Sequence, residues 1–144
     1  KKHKKITYFF WVLCFSILSY GCDLDREQGV QIYNTIDATS LEHIKKIGIM
    51  EKNEKPIAYY DSTLSMDGSN IFLLTNKRVG HFKTNYDKYI LLDNIKNIGH
   101  TESLLEDRII VVGKSGDKLI ISIETDGELF LKELQEQLEK KRPR

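Results

Sequence analysis

Cysteine is almost missing from this chain: of 144 residues only Cys14 and Cys22 carry a thiol. Cys14 lies in an apolar run that reads as a removable signal, so the rest of the chain holds one cysteine. That excludes an internal disulfide and a Cys-rich zinc site. A large charge imbalance is also lacking. The formal net charge is +1, but four of the 22 Lys and Arg fall in the first five residues; residues 22–144 then carry 18 cations against 21 anions, about −3. A slightly acidic domain lacks the electrostatic footprint of nucleic-acid binding, and no nucleic-acid partner is expected.

The motifs of catalysis are missing as well. There is no G-x-S-x-G elbow and no Gly-rich phosphate loop. His43, His81 and His100 lack the close i, i+2 or i, i+4 spacing that makes a metal site specific. The adjacent carboxylates Glu106 and Asp107 fall in an expected turn and read as solvated. The chain therefore reads as a non-enzyme with no metal and no cofactor. Its length suits one domain with one core.

What is present begins with a basic cluster, Lys1, Lys2, His3, Lys4 and Lys5, followed by the apolar run Ile6 to Leu18. The run is shorter than the roughly 20 residues of a spanning helix, so residues 1–21 read as an export signal. Ser19, Tyr20, Gly21 and Cys22 resemble a bacterial lipobox. Gly21 and Cys22 match it, whereas Ser19 stands where Leu is usual and Tyr20 is bulkier than usual. The resemblance implies cleavage before Cys22 and acylation of its thiol, with several chains giving a stable anchor. Asp23 then implies retention at the inner membrane. An uncleaved signal anchor is the alternative.

Residues 22–40 read as a tether from which Val30, Ile32, Tyr33 and Ile36 can dock onto the domain. A short helix is predicted over Leu41 to Ile47, with Thr39 and Glu42 as capping box and Gly48 as stop. From Pro56 the pattern changes to strands. Pro56 to Ser65 is predicted to pair across Asp67-Gly68 with Asn70 to Thr75. Val79 to Lys83, Tyr89 to Leu92, Ile95 to Ser103, Arg108 to Val112 and Lys118 to Ile123 complete about seven strands. A terminal helix is predicted after a second capping box, Thr125 and Glu128. Phe130, Leu131, Leu134 and Leu138 form its apolar stripe, with Lys132, Glu133, Glu136, Glu139 and Lys140 facing outwards. Residues 141–144 form a basic tail.

The fold class is thus mainly β, and specific residues give it a likeness. Asn70 to Phe82, NIFLLTNKRVGHF, resembles bacterial pleckstrin-homology-like (PH-like) families in which a strand ends in Leu-Thr-Asn-Lys-Arg and the next begins at once. Ile90 to Ile95, with Ile98, is similar to their following segment. The resemblance covers residues 41–140 and implies a small barrel or sandwich of about seven antiparallel strands, closed by the carboxy-terminal helix and preceded by a short helix. Phosphoinositide-binding members place Lys and Arg in the first hairpin loop; the matching residues Met66 to Asn70 hold none, which argues against a phosphate site of that type.

Six residues are the binding candidates. Lys77 and Arg78 make a basic point that could meet a phosphate or a carboxylate; the plainer reading, which we prefer, is that they shape and solvate a tight turn, with the stem of Arg78 packed on a neighbouring strand. Lys83, Tyr86, Lys88 and Tyr89 could form a peptide-binding face, and an exposed strand edge could accept an added strand. Tyr59, Tyr60, Phe72 and Phe82 read as packing. The expected function is a membrane-tethered, exported lipoprotein with a non-catalytic binding or scaffolding domain in the bacterial envelope, its partners the membrane through Cys22 and an envelope protein. Two alternatives stand beside it. One is a lipid-headgroup domain with a basic rim drawn from Lys83, Lys88, Lys96 and Lys118. The other is an immunity or superinfection-exclusion lipoprotein.

Overall fold

The computed structural model describes residues 29–142. The signal, Cys22 and the end of the basic tail lie outside the described residues. In chain order the elements are β1 (Gln31–Ile32), a 3-10 turn (Tyr33–Thr35), α1 (Ala38–Ile47), β2 (Pro56–Asp61), β3 (Asn70–Thr75), β4 (Arg78–Lys83) and β5 (Tyr86–Leu91). A second 3-10 turn (Leu92–Asn94) leads to β6 (Ile95–Glu102), β7 (Asp107–Gly113), β8 (Lys118–Ile123) and α2 (Gly127–Lys141). All pairings are antiparallel, in a five-stranded sheet ordered β1-β2-β3-β4-β5 and a three-stranded sheet ordered β6-β7-β8. Among the described residues no ladder joins the sheets, so they do not close into a barrel. No described helix is long and apolar enough to cross a membrane.

One core lies between the sheets. Tyr60, Phe72, Leu74 and Ile90 from the first sheet share it with Ile109, Val111, Leu119 and Ile121 from the second, and Phe130 and Leu134 of α2 close it. Along β8 burial alternates, with Leu119, Ile121 and Ile123 inward and Lys118 and Ile120 outward. That is the period of a strand with one wet face. β2 and β3 show no such alternation because both of their faces are covered. Their opposite face carries Tyr59, Ile71 and Leu73, which pack with Phe82 of β4, with Ile36 and with Ile44 of α1.

Several boundaries differ from the sequence reading. α1 begins at Ala38 rather than Leu41, capped by Asp37, whose carboxylate accepts from the Ser40 N–H at 2.7 Å. Gln31 of β1 holds Asp37 in place, accepting from its N–H at 3.0 Å and donating to its carboxylate at 3.2 Å. Thr39 and Glu42 are therefore inside the helix and do not cap it. Gly48 ends it in the left-handed conformation, as expected (φ 71°). Residues 30–36, read as part of a tether, enter the fold: β1 pairs with β2, and Val30 and Ile36 are buried.

β2 stops at Asp61 rather than running to Ser65. The Asp61 carboxylate accepts from the N–H of Thr63 at 2.9 Å and of Gly68 at 2.7 Å, folding residues 62–69 back as a loop. Gly68 adopts φ 75°, and a Cβ there would collide with the His43 ring, so both backbone and space demand glycine. β5 starts at Tyr86, earlier than Tyr89, because the turn from β4 needs only Thr84 and Asn85.

α2 starts at Gly127, after Asp126 at φ 63° with no side-chain cap. Thr125 and Glu128 accordingly form no capping box. The position of a Gly127 Cβ is taken by Asp107 of β7, which fixes how closely helix and sheet approach. Phe130 and Leu134 are fully buried and Leu131 and Leu138 partly so. Glu133, expected to face outwards, is only 5 % exposed. The docked amino-terminal segment covers that part of α2: Gln137 donates to the Tyr33 hydroxyl at 3.2 Å, and burial, together with the nearby Glu133 carboxylate, raises the Tyr33 pKa.

Because Phe130 is fully buried in the core that both sheets share, Phe130→Ala is expected to destabilise the protein by about 3–5 kcal/mol, read by urea unfolding. A loss under about 1 kcal/mol would mean that α2 is not part of the cooperative core.

Candidate functional site

The turn between β3 and β4 is built around the Thr75 hydroxyl, which accepts from the N–H groups of Lys77 (3.1 Å) and Arg78 (3.0 Å) and donates to Glu54 at 2.6 Å. This directs the Arg78 side chain into the protein, where the residue is only 5 % exposed. Its Nε and Nη2 donate to the two oxygens of Glu54 at 2.9 and 3.0 Å, and Nη2 also donates to Glu51 at 2.6 Å. The guanidinium lies over the Tyr89 ring, 4.7 Å from its centre. Lys77 donates to Glu51 at 3.0 Å and to the Lys52 carbonyl at 3.3 Å.

The ionisations follow from these contacts. Burial alone would raise the Glu54 carboxyl, but hydrogen bonds from the Glu51 N–H, Thr75 and Arg78 outweigh it and hold the pKa below the usual range. Burial likewise opposes the charge on Arg78, and its bonds to Glu54 and Glu51 overcome that and raise its pKa. The basic point of the sequence is thus turned inward and neutralised by acidic residues from the segment that joins α1 to β2.

The other four candidates divide. β5 is an edge of the first sheet, paired only with β4 among the described residues. Tyr86 and Lys88 stand on one side of it, opposite Lys83 and His81 of β4; Tyr89 stands on the other, opposite Gly80 and over Arg78. Tyr86 and Tyr89 are about half exposed, 48 % and 46 %, but do not form a single face. Lys83 lines a cleft of about 310 Å³ beside loop 62–69, with His43 and Lys46 of α1 and Asp67, Asn85 and Asp87. Asp67 is held well below the usual carboxylate range by hydrogen bonds from Ser69 and Ser65.

The three histidines serve separate networks. His43 Nδ1 is 2.9 Å from the Tyr59 hydroxyl, His81 Nε2 is 2.6 Å from the Asn70 side-chain oxygen, and His100 Nε2 is 3.3 Å from Asp107. The Glu106–Asp107 pair is likewise engaged, Glu106 by Arg108 and Asp107 by His100. Around His81 the rings of Phe72 and Tyr86 lie at 4.3 and 5.9 Å. Burial, and then the charge of Lys83, lower the His81 pKa to about 4. The neutral ring thus supports Tyr86 from behind.

This arrangement offers an extended ligand two things: an unpaired strand edge for backbone hydrogen bonds, and the exposed side chains of Tyr86 and Lys88 beside it. Sequence reasoning found those residues but missed Glu51 and Glu54, which lie in a connection without periodicity. It also missed the buried face of His81. Compared with known proteins, the chain matches no family model and no curated protein.

The His81 environment makes a pH prediction. Its folded pKa lies below the unfolded value of about 6.5, so its contribution to stability is complete above that pH and is lost as pH falls through about 4. An NMR titration should find the His81 ring changing near pH 4; a midpoint near 6.5 would show an open, solvated imidazole.

Proposed function

We propose that this chain is an exported bacterial lipoprotein, tethered through a lipid on Cys22, whose described part is a PH-like domain acting as a non-catalytic binding or scaffolding module in the cell envelope. The PH-like reading is supported by the order of elements. Four consecutive strands, β2 to β5, precede three more, β6 to β8, the two sets share a core, and a terminal helix packs against it. LTNKR spans the β3–β4 turn.

One observation carries the binding reading: β5 has its outer edge unpaired among the described residues and five of its six positions exposed, whereas the neighbouring cations Lys77 and Arg78 are spent on internal pairs. A partner segment adding to β5 gains backbone hydrogen bonds from the edge and contacts with Tyr86 and Lys88. Lys88 and Lys83 favour an acidic segment there. A lipid on Cys22 confines the module near membrane-bound partners, so modest affinity suffices.

Crosslinking with affinity capture from bacterial membranes tests both parts. The native chain should sediment with membranes and yield a defined crosslinked envelope protein, while Cys22→Ala should become soluble. The surface pair Tyr86→Ala and Lys88→Glu should leave stability within about 0.5 kcal/mol and lower the crosslinked yield at least about fivefold, the effect of about 1 kcal/mol. Membrane retention of Cys22→Ala would favour the uncleaved anchor. An unchanged crosslink in the β5 variant would place the partner elsewhere.

A further inference from the structure

The two ends of β6 carry complementary surfaces. At its far end the turn to β7 presents Leu104 and Leu105, 104 % and 83 % exposed. This turn is held firmly. The Ser103 hydroxyl accepts from the N–H groups of Leu105 (3.3 Å) and Glu106 (3.1 Å), while the Ser103 hydroxyl and N–H donate to the Glu106 carbonyl at 2.9 and 3.1 Å. The backbone that carries the two adjacent leucines is therefore held with both side chains outward, so docking has less backbone freedom to remove. Acidic residues flank them. Glu102 precedes the turn, Glu106 pairs with Arg108 and Asp107 faces His100.

At its near end β6 and the last turns of α2 border an open groove of about 560 Å³. Its apolar surface comes from the partly buried Ile95, Ile98 and Leu138. Lys96, Lys141 and Arg142 also line it, against Asp93 and Glu139, leaving one more cation than anion. Lys141 and Asp93 already pair at 3.0 Å, so Lys96 and Arg142 are the cations placed to meet an incoming carboxylate.

A strand rises about 3.3 Å per residue, which puts the groove end of β6 roughly 20 Å from the turn that follows Glu102. The leucine tip cannot bend into its own groove. We propose that the Leu104–Leu105 tip of one copy docks into the Ile95–Ile98–Leu138 groove of a second copy of this chain, with Glu102 approaching Lys96 and Arg142. Tip and groove are different surfaces, so the contact is head to tail, and repeated addition gives a ring or an open filament rather than a two-fold dimer. The contact is small and therefore weak in dilute solution; confinement to a surface strengthens it. An anionic bilayer is the poorer occupant for the tip, because Glu102, Glu106 and Asp107 would approach like charges. This docking goes beyond the binding reading above and stands without the lipid anchor, which Cys22→Ala tests separately.

The full chain in neutral detergent, with a photoreactive phenylalanine analogue at position 105, provides the test. Chains of natural isotopic content are mixed with nitrogen-15 chains, so that crosslinks between copies carry both labels. Mixed-label crosslinks from position 105 to peptides containing Lys96–Ile98 or Leu138–Lys141 are expected. Lys96→Glu should lower their yield at least fivefold, and Glu102→Lys on the partner copy should restore it, with circular dichroism unchanged in both. Crosslinks only to detergent or added anionic lipid, only between two tips, or no mixed-label product at the highest soluble concentration would each overturn the proposal.

Discussion

A guanidinium taken out of water needs a carboxylate beside it, and much of this structure is arranged around that need at Arg78. Leaving one partner of a buried pair alone costs about 3–5 kcal/mol, a large part of a small domain's stability. Here both oxygens of Glu54 and one of Glu51 meet the Arg78 side chain, and Tyr89 covers it. The pair ties the start of β4 to the segment between α1 and β2, while Tyr89 brings in β5. With that segment fixed, α1 is held over the outer face of the sheet, where Ile44 packs with Tyr59, Leu73 and Phe82.

The consequence for function is a matter of which surfaces remain. β2 and β3 are covered on both faces, one by the shared core and the other beneath α1. Neither offers a broad site. The open features lie at the periphery: the β5 edge, the cleft beside loop 62–69, the groove by α2 and the β6–β7 tip.

Local chemistry was legible in the sequence and distant chemistry was not. Asn70–Thr75 and Lys118–Ile123 were predicted with the limits they have, because turn residues bound each run of apolar and β-branched side chains. The Gly48 stop was legible for the same reason. The start of α1 was not, since Asp37 is positioned as a cap by Gln31 of a strand too short to have a pattern. Glu133 matched the outward side of an amphipathic helix until a segment from the other end of the domain was laid over it. Lys77 and Arg78 do sit at the β3–β4 turn, but Arg78, expected to help solvate it, is buried. Their partners, Glu51 and Glu54, come from a connection more than twenty residues earlier, and no spacing rule reaches so far.

Arg78 of the LTNKR segment is held inside the fold by Glu54 and Glu51. A double-mutant cycle with Glu54→Gln, Arg78→Met and the double variant, read by urea unfolding at neutral pH, tests it most directly. A coupling energy of about 2–3 kcal/mol is predicted, with the double variant more stable than the sum of the single losses implies. Coupling below about 0.5 kcal/mol, with Arg78→Met as stable as the native chain, would mean that Arg78 is free for a ligand and would contradict the account.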